Sequence, residues 1–276
     1  PVDQPRPRVY PGPRREDTDR LAAMLAKSER PLIWVGGALL GAGVTDDLRK
    51  LAEEWVLPIS PTHRRPCHFA FDHPNYGGYM GIRVPKPLID EMKRCDLLVA
   101  LGERLTDTVS QSYTFPTAPQ PQVPLVHVWP DANEIGRVWR PDLGIVSDPQ
   151  AMIRALLERG APNGTAKRKA WVAGLNAIHR KLLAPEWEPT SDGINFAAIA
   201  VEVGKHLSAD AIVSTDAGNF SSFVHRYIGF RPGQTFLSSV VGAMGAGMPM
   251  AVAGGMRRPG AQVVAFVGDG GALMTG

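Results

Sequence analysis

The chain has 276 residues and a formal net charge of +3, with 44% hydrophobic and 21% charged residues. That composition is ordinary for a packed globular protein, and the length suits one large domain or two of common size. The basic residues are scattered in pairs such as Arg14-Arg15, Arg64-Arg65 and Arg257-Arg258, not gathered in a stripe, so no nucleic-acid partner is expected. No apolar run approaches the roughly 18 to 20 residues that cross a bilayer.

Residues 1–15 are rich in Pro and Arg, carry no apolar core and read as a linker rather than a signal peptide. Arg20 to Ser28 is predicted as a helix and PLIWVG at 31–36 as a strand. The turn GGALLGAG follows, then a helix from about Thr45 with Asp46 and Asp47 in its first turn, where the helix dipole favours acids. Further strands are expected at 56–60, 96–102, 123–129 and 143–147, with helices over Leu88 to Arg94 and Pro149 to Arg159. His63, His68 and His73 recur every five residues in the Pro-rich loop between, a spacing that fits neither a helix face nor a zinc pattern. Cys67 and Cys95 make no disulfide framework, so a reducing cytoplasm is expected.

Strands that are apolar throughout and alternate with helices indicate a parallel sheet covered on both faces. The fold class is therefore α/β, with a nucleotide-binding-like domain over 16–160. A connector with a basic amphipathic helix spans 161–192. A second doubly wound unit over 193–276 is expected to be incomplete. It has a helix to Leu207, a strand at 211–215, a helix opened by DAGNF, a short strand at TFLSS, a small-residue helix over GAMGAGMPMAVAGG and a last strand at VVAFVG.

Three segments of this second unit carry chemistry. In GDGG, Asp269 follows an apolar strand between Gly268 and Gly270. Glycines permit close approach to a ligand, and an Asp beside an anion site suggests a hard cation bridging carboxylate and diphosphate. The same pattern also fits a plain turn with Asp as a cap. GAMGAG offers a small-residue surface with Met244 as its large side chain, although helix packing alone would explain it. TDAGNF at 215–220 is a further strand end followed by glycine and a helix start.

In this order and spacing the three segments resemble the cofactor domain of thiamine diphosphate-dependent enzymes of the acetohydroxyacid synthase (acetolactate synthase) group. The resemblance implies thiamine diphosphate and Mg²⁺ as cofactors. Asp269 would be the metal ligand, with Gly268, Gly270, Gly271, Gly218 and Asn219 around the diphosphate. Gly242, Ala243 and Met244 would lie along the aminopyrimidine. Asn219-Phe220 departs from the usual Gln-His, which removes one polar contact.

GERLTDTVS, PDANEIGR and HPNYGGYMG likewise resemble the family's middle domain. There Gly36, Gly37, Arg104, Asp131 and Asp148 become candidates for a nucleotide site, holding FAD, ADP or nothing. A tight turn at Gly36-Gly37, a surface ion pair for Arg104 and a turn cap for Asp131 are the plainer readings.

The resemblance puts the activating glutamate and a second metal ligand outside these residues. The sequence is thus expected to be an internal piece of a longer enzyme with no catalytic residue of its own, binding the cofactor weakly alone. The implied reaction is decarboxylation and carboligation of 2-keto acids by a homodimer or homotetramer. Sulfoacetaldehyde acetyltransferase, glyoxylate carboligase and oxalyl-CoA decarboxylase are neighbouring readings, and a non-catalytic nucleotide-binding module is one from another class.

Overall fold

A computed structural model describes residues 10–40, 43–162, 164–183, 191 and 193–276. Most of the proposed linker, Gly41 and Ala42 of the first glycine turn, and 184–190 of the connector lie outside the described residues.

The first sheet has five parallel strands in the order β2-β1-β3-β4-β5: β1 Pro31–Val35, β2 Ile59–Pro61, β3 Leu97–Leu101, β4 Leu125–Trp129 and β5 Leu143–Val146. Alternate side chains of each strand face opposite sides. Ile33, Val35, Val99 and Leu101 join helices α1 (Arg15–Lys27), α2 (Val44–Trp55) and α4 (Pro149–Arg159) through Leu21, Leu25, Leu48, Leu51, Ile153 and Leu156. Leu32, Trp34, Leu98 and Ala100 join α3 (Lys86–Met92) and α5 (Ala166–Leu183) through Leu88, Met92, Trp171 and Leu175. The basic helix of the connector is thus a cover of the central sheet. Trp171 Nε1 donates to Pro31 O at 2.7 Å, and Asn176 Nδ2 donates to His73 O and Tyr76 O at 3.0 and 3.1 Å.

The second sheet has three parallel strands, β7-β6-β8: β6 Ile212–Thr215, β7 Thr235–Ser238 and β8 Val263–Phe266. Helices α6 (Phe196–Lys205), α7 (Ser221–Tyr227), α8 (Gly247–Arg257) and α9 (Asp269–Thr275) accompany it. The small-residue helix begins at Gly247, later than expected. Gly242 and Gly245 hold positive φ of 70° and 83°, which end any helix through 242–246 and which glycine adopts without strain. Every strand expected from the sequence forms, most of them trimmed at an end, while the second shifts from 56–60 to Ile59–Pro61. Val56 adopts a left-handed conformation as the cap of α2 and so cannot begin that strand.

Both sheets place their first strand between the next two, with the second strand on one side and the third on the other. In such sheets the crevice for a ligand opens at the carboxyl ends of the two strands where the order reverses. Those pairs are β1/β3 in the first unit and β6/β8 in the second.

Candidate functional site

At the β6/β8 crevice the chain leaves β6 through Asp216. This aspartate, which stands in the TDAGNF segment but is not among the nominated site residues, is 2% exposed and organises the site. Its Oδ1 accepts from Ala217 N and its Oδ2 from Gly245 N, each at 2.9 Å, while its own N–H donates to Phe266 O at 2.9 Å. Asp216 therefore ties the end of β6 to the end of β8 through its backbone N–H and to the GAMG turn through its carboxylate. A Cβ on Gly271 would stand 1.9 Å from Asp216 Oδ2, and one on Gly247 would stand 2.8 Å from Asp216 Cβ. Gly247 and Gly271 are thus required by the space this side chain fills. The clue in the sequence was an acid at a strand end beside glycines, as at Asp269.

Around this hub lie the nominated residues. Gly268 is the extended residue before α9, and Asp269, exposed, is the helix's first residue. Asp269, Gly270 and Gly271 open the helix, where N–H groups have no acceptor within the helix itself. Met244 is 49% exposed, and its Cε lies 3.2 Å from where a Cβ on Gly270 would stand. Ala243 N donates to Ser239 Oγ at 3.1 Å, holding the turn open behind it. Gly218 and Asn219 are exposed on the β6–α7 turn, and Asn219 Oδ1 accepts from Arg83 Nη2 at 3.1 Å. Phe220 is a packing residue: its ring covers Gly218, approaches Gly268 and meets the Phe196 ring at 6.2 Å. The structure thus brings Gly218, Gly242 to Met244 and Gly268 to Gly271 to one sheet edge around Asp216. An exposed carboxylate and helix-opening amides form a donor set suited to a divalent cation and a diphosphate. Among the described residues no group of three or more His, Cys, Asp or Glu side chains could hold a metal by itself.

The β1/β3 crevice differs. Gly36 N donates to Leu101 O at 3.1 Å and Ala38 N to Gly102 O at 3.0 Å, so these amides are already used. Gly37 is covered by the Arg65 guanidinium, whose Nη2 would lie 3.5 Å from a Cβ placed there. The other nominated residues each have local work. Arg104 forms a two-pronged pair with Glu134 at 2.9 and 3.0 Å, Asp131 Oδ1 caps Asn133 N at 2.9 Å, and Asp148 caps α4 through Ala151 N at 2.7 Å. The pairing lowers the Glu134 carboxyl pKa despite the cost of its desolvation. Each nominated side chain of this crevice thus has a partner within the chain.

The three loop histidines have separate partners. His63 Nδ1 meets the Tyr79 hydroxyl at 3.2 Å and its ring stacks on His225 at 5.3 Å; His68 Nε2 donates to Gly36 O at 3.2 Å, and His73 pairs with Glu53 at 3.2 Å.

Residues 18–156 match the thiamine pyrophosphate enzyme central domain, and residues 216–276 match the C-terminal TPP binding domain of the same enzymes. The chain belongs to the thiamine pyrophosphate enzymes. Within this family it is 29% identical over 262 residues to a probable acetolactate synthase large subunit of Methanocaldococcus jannaschii, covering 92% of this chain and 44% of that protein. It is 30% identical over 256 residues to an acetolactate synthase large subunit of Parasynechococcus marenigrum, covering 91% of this chain and 40% of that protein. A Lactococcus lactis acetolactate synthase large subunit is 26% identical over 262 residues, 94% of this chain and 44% of that protein. The chain therefore spans about two fifths of the length of these relatives. The match from residue 216 begins on the buried aspartate and takes in every turn of the β6/β8 crevice.

Proposed function

We propose that this chain supplies the central domain, over 16–160, and the diphosphate-binding face, over 193–276, of a thiamine diphosphate-dependent enzyme that decarboxylates and carboligates 2-keto acids in the manner of acetolactate synthase. The observation that carries the reading is the β6/β8 crevice, where three glycine turns converge on buried Asp216 beside exposed Asp269, within the segment matching the TPP binding domain. Asp269 would ligate Mg²⁺, and the Gly270 and Gly271 amides, with the Gly218-Asn219 turn, would receive the diphosphate. Gly242, Ala243 and Met244 would line the aminopyrimidine. Bound there, thiamine diphosphate serves as electron sink for loss of CO₂ from the keto acid. The protein's own part is to hold that group by its charged end and keep its ring against Met244.

A homodimer or homotetramer is the assembly the resemblance implies, and the exposed apolar side chains Val252, Met256, Leu273 and Met274 on α8 and α9 suit contact with further protein. A cytoplasmic setting is supported by Cys67 and Cys95, both free thiols. No helix among the described residues is long and apolar enough to cross a membrane.

The test uses the full-length protein. Pyruvate should yield acetolactate only with thiamine diphosphate and Mg²⁺, and Asp269→Ala should lower kcat/KM by about 100-fold or more, as expected for loss of an electrostatic contact at a catalytic metal. A protein indifferent to thiamine diphosphate refutes the reading. Parallel assays with sulfoacetaldehyde, glyoxylate and oxalyl-CoA separate acetolactate synthase chemistry from the neighbouring activities.

A further inference from the structure

The two crevices of this molecule share one topology and differ in what fills them. At β6/β8 the strand ends open onto glycine turns, whereas at β1/β3 the residue after Gly102 is Glu103, 5% exposed. Its Oε2 lies 2.4 Å from where a Cβ on Gly36 would stand, so the carboxyl group rests directly on the β1 turn. It also takes the donors the crevice offers. Leu105 N donates to Oε1 at 3.0 Å, and the Thr62 hydroxyl at the end of β2, which also lies 3.0 Å from Val35 O, shares a hydrogen bond with Oε2. His127 Nε2 fixes the backbone beneath by donating to Glu103 O at 3.0 Å, and His68 closes the side through Gly36 O. Arg65 lies flat over Gly37 and gives the carboxylate a nearby cation.

A phosphate entering here would have to displace a buried, hydrogen-bonded carboxyl group. Removing one partner from a buried, satisfied polar group costs more than an exposed contact returns.

We propose that Glu103 is the built-in occupant of the central-domain crevice and closes it to FAD and to ADP. The proposal concerns the central domain alone and stands or falls independently of the thiamine-dependent activity.

The test begins with the purified full-length protein, denatured and its extract chromatographed for flavin and adenine nucleotides. Neither should be found, and titration with FAD or ADP to about 1 mM should give no saturable heat, corresponding to less than about 4 kcal/mol of binding. Glu103→Ala, which empties the crevice and leaves Arg65 free to face a phosphate, should bind ADP at least about ten-fold more tightly than wild type. Glu103→Gln, which keeps the bulk, should remain closed. Stoichiometric flavin or ADP in the wild-type extract overturns the proposal, and so does a folded Glu103→Ala protein that binds ADP no better than wild type. The wild-type extraction requires no variant, so a Glu103→Ala protein that fails to fold leaves a deciding measurement in place.

Discussion

At the scale of the residue, the site depends on one buried carboxylate more than on the exposed one. Asp216 satisfies two backbone amides from two turns at 2.9 Å each. Truncating it leaves the buried Gly245 donor and the part-buried Ala217 donor without a partner, a loss of about 2–4 kcal/mol. Gly271→Ala forces a methyl group into the same carboxylate and costs about 1–3 kcal/mol by overpacking. Because the clash exists only while Asp216 is present, the double variant should be more stable than the sum of the singles predicts, by about 1 kcal/mol or more. Urea denaturation of the four proteins measures this directly, and strict additivity would show that the two turns do not meet through Asp216. The sequence made Asp269 legible because an acid between glycines after a strand is conspicuous. Asp216 was passed over because its role lies in hydrogen bonds to residues 1 and 29 positions away, and no local pattern carries the second.

At the scale of the element, α5 shows how a charged helix becomes part of a core. Arg168 is 1% exposed and donates to Leu25 O and Ser28 O at the end of α1, and to Trp55 O at the end of α2 at 3.3 Å. The ends of both helices present carbonyls without intrahelical donors and a partial negative charge, so one guanidinium serves two C-termini. Arg168→Met keeps the apolar stem and leaves those carbonyls bare, and should lower stability by about 2–4 kcal/mol. Thermal unfolding would report it; a loss below about 0.5 kcal/mol would mean that water takes over the carbonyls. From sequence this helix read as basic and amphipathic within a connector. Which of its arginines turns inward depends on where α1 and α2 end in space.

At the scale of the whole molecule, the two units meet along a seam of aromatic and basic side chains. Phe71 N donates to Phe230 O at 3.2 Å, Arg64 reaches Val240 O, and His63 stacks on His225 beside Tyr79. Burial holds His225 and His179 down to about 4 and His63 down to about 3. Their ordinary value is 6.5, so the unfolded chain takes up protons first as pH falls. The stability they contribute is full above about 6.5 and is lost toward the folded values, at about 1.4 kcal/mol per pH unit for each histidine. Glu103 acts in the opposite sense. Its carboxyl is raised by burial above 4.5, so it destabilises the fold as pH rises through that range, but it supplies one proton against those of the buried histidines, His68 and His127 being lowered by burial as well. The urea midpoint should therefore fall between pH 7 and pH 5, and His225→Phe should flatten that slope. An unchanged slope in the variant would place the titrating groups elsewhere.

What the sequence by itself determined was local: continuous apolar strands alternating with helices, glycine at the turns, and the motif order that resembles thiamine diphosphate enzymes. Those features rest on side-chain periodicity and backbone freedom, which act over a few residues. The tertiary structure decided what occupies each crevice, because that depends on groups far apart in the chain meeting at a strand end. Glu103 reaches Thr62 across 41 positions and Asp216 reaches Gly245 across 29. In the first case the contact fills the crevice with the chain's own carboxylate; in the second it braces glycine turns that remain open.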